Sequence, residues 1–197
     1  DTLTSRNNLA SAYKKSGRLK EAISLHVENL KASLHVLGEN HPHTLTSRNN
    51  LASAYRDTGS LDKAVPLFEE NLEARKRILG EDHPDTLTSR NNLASAYKKS
   101  GRLKEAISLH VENLKASLHV LGENHPDTLA SRNNLASAYQ EAERIDEAIP
   151  LFEENLEASK RLLGKNHPFT QTAISNLMAA YIEAGKFTEA YQLKQSH

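Results

Sequence analysis

Two adjacent asparagines recur every 42 residues in this chain of 197 residues, and their amides are its side chains best suited to a binding role. The pairs are Asn7-Asn8, Asn49-Asn50, Asn91-Asn92 and Asn133-Asn134, with Ser175-Asn176 in the same place near the C-terminus. An asparagine amide both donates and accepts hydrogen bonds. Asparagine is a mediocre helix former because that amide competes for backbone groups. A pair repeated in the middle of a predicted helix therefore indicates a specific role.

Two roles fit these amides. They can form a structural ladder of hydrogen bonds between neighbouring helices, or they can donate to and accept from the backbone of an extended peptide. The second role is tolerant of ligand sequence, since every peptide unit offers one donor and one acceptor. One asparagine of each pair can also serve each role, and the sequence leaves this choice open.

Other chemistry is not supported. His41, His83, His125 and His167 each precede a proline in the same loop, one repeat apart, so their side chains are not expected to converge. Zinc needs about four ligands around one point, and we therefore predict no metal and instead helix capping or loop packing. The chain has no cysteine, Gly-rich phosphate loop, nucleophile elbow or HExxH motif. The adjacent carboxylates Glu69-Glu70 and Glu153-Glu154 read as solvated surface. We predict no enzyme activity and no cofactor.

The repeat itself predicts helical hairpins. Its copies are 1–42, 43–84, 85–126 and 127–168, with a partial copy at 169–197, and the first and third copies are identical. Apolar residues follow helical spacing in two segments of the second copy, roughly Thr44–Thr58 (helix A) and Leu61–Leu79 (helix B). Glycine at Gly59 and the Gly80–Pro84 segment end them. We therefore predict a repeat array and one domain over residues 1–197.

Composition sets broader limits. Lys plus Arg equals Asp plus Glu, which gives no reason to expect nucleic acid or an acidic membrane as partner. No apolar run is long enough to span a membrane. The absence of cysteine is compatible with a cytoplasmic location. Because the sequence begins in mid-motif at Asp1, we expect it to be part of a longer polypeptide.

The pattern Asn50-Leu51-Ala52, Tyr55, Gly59, Ala64 and Phe68 resembles the tetratricopeptide (TPR) signature. Units of 42 residues ending in LG…HP resemble the kinesin light chain cargo-binding array and the TPR tails of nucleotide-binding signalling ATPases. The resemblance implies an all-α, right-handed TPR solenoid of four full hairpins and a partial fifth. Three slots depart from the signature. Arg48 replaces an aromatic residue, His26 and His110 replace Phe68, and Glu143 replaces Gly59. Glycine in the other copies predicts a positive φ in this slot, which Glu143 would adopt at a cost.

The resemblance also implies that the A helices line a concave groove, which would place the asparagines against a peptide. Helical spacing adds a serine to the same face and then, three and four positions after that serine, two further residues. These are mainly basic in the first three copies (Lys14 and Lys15, Arg56 and Asp57, Lys98 and Lys99) and are Gln140 and Glu141 in the fourth. A ligand would then be acidic where it meets the first three copies. The predicted groove residues are Asn7, Asn8, Lys15, Asn49, Asn50, Arg56, Asn91, Asn92, Lys99, Asn133 and Asn134.

The predicted function is therefore a protein-interaction module that binds an extended peptide. A second hypothesis is the sensor or autoinhibitory tail of a signalling ATPase. A third is a self-assembling structural array, since Leu3, Leu9 and Tyr13 have no preceding hairpin to cover them. Val27 and Leu34, with Val111 and Leu118, replace Glu and Lys of the even copies. These slots are read as exposed, and the four residues are either scattered surface residues, which is the favoured interpretation, or a small apolar stripe on the odd copies.

Overall fold

A computed structural model describes residues 2–195, which contain ten α-helices and no strand. The predicted array limits Asp1 and His197 lie outside the described residues. The helices are α1 Thr2–Lys15, α2 Leu19–Leu37, α3 Pro42–Asp57, α4 Leu61–Leu79, α5 Pro84–Lys99, α6 Leu103–Leu121, α7 Pro126–Glu141, α8 Ile145–Leu163, α9 Pro168–Glu183 and α10 Phe187–Gln195.

The chain forms two compact units, residues 1–102 and 103–197. In the first unit, each helix from α1 to α5 packs on the next, and α3 also contacts α5. In the second unit, α6 to α10 do the same. The helices alternate between a helix A (odd-numbered) and a helix B (even-numbered), as predicted.

The predicted apolar stripes are largely buried. Leu45, Leu51 and Phe68 have almost no exposed surface, as predicted. Ile78 and Leu79, which continue the apolar spacing of α4, are exposed. They lie in the last turn of α4, beside the exposed loop 80–83, where no core surrounds them.

A buried polar row joins each helix B to the following helix A. The Nδ2 atom of Asn29 donates to Ser47 Oγ (3.1 Å), and Asn71 and Asn113 donate likewise to Ser89 (3.2 Å) and Ser131 (3.0 Å). The fourth copy has no such bond, because Ala173 stands where the serine would be. Both amide atoms of Asn155 are buried without a partner among residues 2–195. This row was not predicted from the sequence.

Glu143 adopts the backbone conformation of the glycines that it replaces. Its φ is 58°, beside 76° at Gly59. The turns share their hydrogen bonds, since Arg144 N donates to Tyr139 O as Ser60 N does to Tyr55 O. A residue with a Cβ atom is strained in this region of φ. The predicted positive φ is therefore confirmed.

Glu143→Gly is expected to stabilise the chain by about 1 kcal/mol, because glycine adopts this φ without steric cost. Urea denaturation of the two proteins measures the difference. Gly59→Glu, at the matched turn of the second copy, is the control and should lose a similar amount. A destabilised Glu143→Gly protein would contradict the strain assigned to this turn.

Candidate functional site

The paired asparagines bond across neighbouring A helices. Asn92 Nδ2 on α5 donates to Asn49 Oδ1 on α3 (3.0 Å), and Asn176 Nδ2 on α9 donates to Asn133 Oδ1 on α7 (2.9 Å). Both bonds join residue n to residue n + 43, the second asparagine of one copy to the first asparagine of the preceding copy. The ladder role is thus observed in each unit, and it uses both positions of the pair.

Each rung occupies only half of each amide. Within the described residues, the Nδ2 of Asn49 and the Oδ1 of Asn92 make no hydrogen bond, nor do the corresponding atoms of Asn133 and Asn176. All four side chains are half-buried. One donor and one acceptor therefore remain at each rung, which is the complement of a single peptide unit.

The other predicted asparagines vary in environment. Asn50, Asn91 and Asn134 are half-buried, and Asn8 is exposed. The half-buried Asn7 has a buried Oδ1 without a partner among the described residues. The spacing of 43 residues would pair Asn7 with Asn50, but the described residues show no hydrogen bond to the Oδ1 of Asn7.

A second row of polar contacts follows the same spacing about two turns further along each helix A. Lys14 Nζ lies 2.5 Å from Asp57 Oδ2, and Gln140 Nε2 donates to Glu183 Oε2 (2.6 Å). Burial alone would raise the pKa of Asp57, but Lys14 and Arg56 hold it below its usual value. The predicted basic strip is therefore partly neutralised in the first unit.

The three predicted basic groove residues differ in exposure and in ion pairing. Arg56 is half-buried, 3.4 Å from Asp57 and 5.7 Å from the centre of the Phe68 ring. Lys15 and Lys99 are exposed, and neither has an ion-pair partner within the described residues. These two lysines occupy the same slot of the two identical copies and are the cations left for a ligand.

Two of the positions predicted to form the outer face of helix B, Glu69 and Glu153, contact the following helix A. Tyr97 Oη donates to Glu69 Oε1 (2.5 Å) and Tyr181 Oη to Glu153 Oε1 (2.6 Å). Burial, followed by the contact with Glu69, raises the pKa of Tyr97 to about 12. Val27 and Val111 hold the matching slots of the odd copies. Val27 is half-buried, while Val111, Leu34 and Leu118 are exposed. The expected exposure was wrong for Val27, and the partly exposed Glu69 also accepts a hydrogen bond from Tyr97.

The four loop histidines are helix caps. The Nδ1 atoms of His41, His83, His125 and His167 each accept from the backbone N–H two residues later at 3.1–3.2 Å. This confirms the predicted capping role. Among residues 2–195, no three histidine, aspartate or glutamate side chains are placed to hold a metal ion. No helix in this range is long and apolar enough to cross a membrane.

Helical hairpins of this length, joined by polar contacts from copy to copy, define a helical-repeat protein. The sequence profile described as "Tetratricopeptide repeat" matches residues 1–70, 47–117, 91–154 and 127–196. The chain belongs to the tetratricopeptide repeat family. The predicted all-α TPR solenoid class is thereby confirmed, and this family generally provides non-catalytic interaction scaffolds.

Among solved structures, the chain is similar to repeats of the kinesin light chain type. The chain is similar to the nearly identical TPR-like repeats assigned to a kinesin light chain of Podosopora anserina, with 31% identity and a TM-score of 0.87. That match covers 98% of this chain and 92% of the other. BtubC (BKLC) from P. vanneervenii has 26% identity and a TM-score of 0.82, covering 94% and 74%.

A more distant structure shares the fold alone. The apo form of RapI has 13% identity and a TM-score of 0.83, covering 100% of this chain and 69% of that one. No protein with a curated description matches this chain. The family thus indicates a protein-interaction module without indicating the partner.

Proposed function

We propose that the A-helix face of this chain binds an extended peptide through its asparagine rungs. The observation that carries the proposal is that each rung leaves one amide donor and one amide acceptor without a hydrogen bond to the described residues. The donors are Nδ2 of Asn49 and Asn133, and the acceptors are Oδ1 of Asn92 and Asn176. A peptide strand needs one donor and one acceptor per unit that it presents, and each rung offers that pair at half-buried positions. The remaining predicted residues, Asn7, Asn8, Asn50, Asn91 and Asn134, extend the same row in one array over residues 1–197.

Charge favours an acidic ligand at the first unit. Lys15 and Lys99 are exposed cations on this face without a carboxylate partner, whereas Lys14 and Arg56 are engaged with Asp57. In the second unit, the corresponding slots hold Gln140, paired with Glu183, and Glu141. An acidic peptide would therefore be selected by the first unit only. The module would act without catalysis, in the cytoplasm, and an ATPase sensor tail would use the same face.

The rungs allow binding and folding to be separated. Asn49→Asp and Asn133→Asp keep the oxygen that accepts from the next helix and remove the free donor. Together they should weaken binding of a labelled peptide, selected from a library against the wild-type chain, by about tenfold, or 1.4 kcal/mol. Fluorescence anisotropy measures affinity, and thermal unfolding should be almost unchanged.

The matched variants are Asn92→Ala and Asn176→Ala, which remove the rung itself and should lower the melting temperature. If the aspartate variants bind the peptide at full affinity, or if no library peptide binds the wild-type chain, the proposal is wrong.

A second candidate is end-to-end assembly of the 197-residue chain. Leu9 on α1 is 47% exposed, whereas its counterpart Leu51 is 5% exposed. Tyr191 on α10 is 64% exposed, whereas its counterpart Ile149 is 3% exposed. Within the second unit, the residue equivalent to Leu9 is Leu135 and the residue equivalent to Tyr191 is Ile107. Leu135 and Ile107 belong to one buried apolar cluster. Two chains stacked end to end would recreate this contact.

Sedimentation velocity should show association that increases with concentration, since the exposed surface is apolar. Leu9→Lys should abolish it, and Leu34→Lys, which changes the weaker lateral stripe, is the matched control. A monomer at every concentration would exclude the ends as a contact surface.

A further inference from the structure

A pocket recurs at the same place in the two units, away from the asparagine rungs. In the first unit it has a volume of about 270 Å³ and lies between the loop after α2, helix α3 and helix α4. In the second it has about 390 Å³ and lies between the loop after α6, helix α7 and helix α8. The residues that line the two pockets are equivalent in the 42-residue repeat. The pocket is therefore a built feature of the even copies.

An arginine lines each pocket with most of its hydrogen-bonding capacity unused. Arg48 is 8% exposed and Arg132 is 7% exposed. Their Nε atoms lie 3.6 Å from Glu70 and 3.4 Å from Glu154, and neither guanidinium makes a hydrogen bond within the described residues. A guanidinium carries five N–H donors in a fixed fork that matches a carboxylate. Each of these guanidinium groups lines the pocket with N–H donors that make no hydrogen bond to the described residues, and it can therefore receive an oxygen acceptor that enters.

The third copy shows the same arginine with an acceptor in place. Arg90 Nη2 donates to Glu81 Oε2 at 2.6 Å, and Glu81 comes from the loop before α5. Glu39 and Glu123 hold this loop position beside Arg48 and Arg132, but Glu123 lies 3.4 Å from Arg161 instead, and Glu39 forms no ion pair within the described residues. The chain's own carboxylate thus reaches Arg90 and leaves the other two pockets open.

The fifth copy shows that the loop carboxylate and the arginine belong together. Ile174 replaces the arginine there, and Lys165 replaces the loop glutamate. Ile174 is buried, so an aliphatic side chain fits the slot without loss of the hairpin. Packing of the hairpin therefore does not require a guanidinium in this slot, and in the copies that carry the arginine it lies beside carboxylates.

We propose that the pockets of Arg48 and Arg132 are receptor sites for a carboxylate, brought by a small organic acid or by an acidic side chain of a protein partner. The rim carboxylates Glu70 and Glu73 are largely exposed, and Lys76 lies 3.5 Å from Glu73. Arg77, which donates to Asn40 (2.7 Å), adds a second guanidinium at the rim. An entering carboxylate approaches Arg48 with Arg77 at the rim, and it competes with Glu70 for the first guanidinium.

This site does not depend on the asparagine face. Failure of the peptide experiment above leaves it standing, and its own failure leaves the rungs untouched.

The test uses the ¹⁵N-labelled 197-residue chain and the Nε–Hε resonances of its arginines. Two probes are titrated separately, glutarate and the blocked peptide acetyl-Gly-Glu-Gly-amide. The resonances of Arg48 and Arg132 should shift saturably, and that of Arg90 should not. Arg48→Ile and Arg132→Ile introduce the residue that Ile174 provides in the fifth copy, and each should remove one response, with circular dichroism to verify folding. A response to glutarate alone assigns the site to a small acid, and a response to the peptide assigns it to a protein partner.

Glu39→Gln and Glu123→Gln change exposed loop residues and remove one negative charge from the lining of each pocket. They should tighten binding of the responding probe by about threefold, because a like charge no longer repels the entering carboxylate. The acetyl-Gly-Gln-Gly-amide peptide is the uncharged control and should give no response. The absence of any saturable shift, or an equal shift at Arg90, would overturn the proposal.

Discussion

Replacing His26 with phenylalanine is expected to stabilise the chain and to remove part of its sensitivity to acid. His26 lies on α2 almost fully buried, and its Nδ1 has no partner among the described residues. Phe68 and Phe152 fill the same slot of α4 and α8 with almost no exposed surface, so the larger ring fits. Removing a buried polar atom without a partner should gain about 1–3 kcal/mol.

The pH dependence has a definite sign. Burial, followed by the nearby charge of Lys14, lowers the pKa of His26 in the folded chain. In the unfolded chain a histidine titrates at a pKa of about 6.5. The unfolded state therefore binds more protons as the pH falls below that value, and stability present at neutral pH is lost until the folded pKa is passed.

Urea denaturation at neutral pH and at about pH 5.5, below the unfolded pKa, measures this loss. His26→Phe should reduce the difference between the two conditions. The matched control Phe68→His places the same group in α4 and should increase it. An unchanged pH dependence in both variants would show that this slot does not control the acid response.

Ala173→Ser is expected to stabilise the second unit by about 1–2 kcal/mol, because it supplies a partner for a buried amide. Asn155 is fully buried with both amide atoms unpaired, and Ala173 stands at the position that Ser47, Ser89 and Ser131 hold in the other copies. Three formed bonds at this spacing show the geometry that the new hydroxyl would adopt.

The reverse change is the matched control. Ser89→Ala leaves Asn71 without its partner and should destabilise the chain by about 1–3 kcal/mol. Guanidinium denaturation compares the variants, and hydrogen exchange at the amides of α8 and α9 should slow in Ala173→Ser. If Ala173→Ser is neutral while Ser89→Ala is costly, Asn155 is satisfied in another way, such as a buried water.

Much of the fold was predictable because helical spacing and glycine positions act locally. The two helices of each copy, the capping histidines and the positive φ of Glu143 all follow from residues within a few positions of one another. The family resemblance then supplied the class of fold.

Contacts between copies were harder to predict. Asn71 reaches Ser89 across 18 residues, Tyr97 reaches Glu69 across 28, and Asn92 reaches Asn49 across 43. The periodicity of a single helix identifies one apolar face, whereas these helices are covered on several sides. The substitution of Ala173 after three serines was the available signal for the buried asparagine row.

The candidate site was predicted only in outline. The asparagine pairs were identified, but the sharing of each amide between rung and solvent needed the structure. Arg48 was read as a lost aromatic residue, and only its burial beside a pocket indicates a role for its charge.

The two kinds of junction between copies differ on one side only. Where an even copy meets an odd one, Glu69 or Glu153 accepts from a tyrosine of the next helix A. Where an odd copy meets an even one, Val27 or Val111 holds the glutamate slot. The tyrosine recurs in every copy, at Tyr13, Tyr55, Tyr97, Tyr139 and Tyr181. The glutamate alone therefore decides whether a junction forms this bond, and an even copy could form it with whichever copy came next in a longer or shorter array.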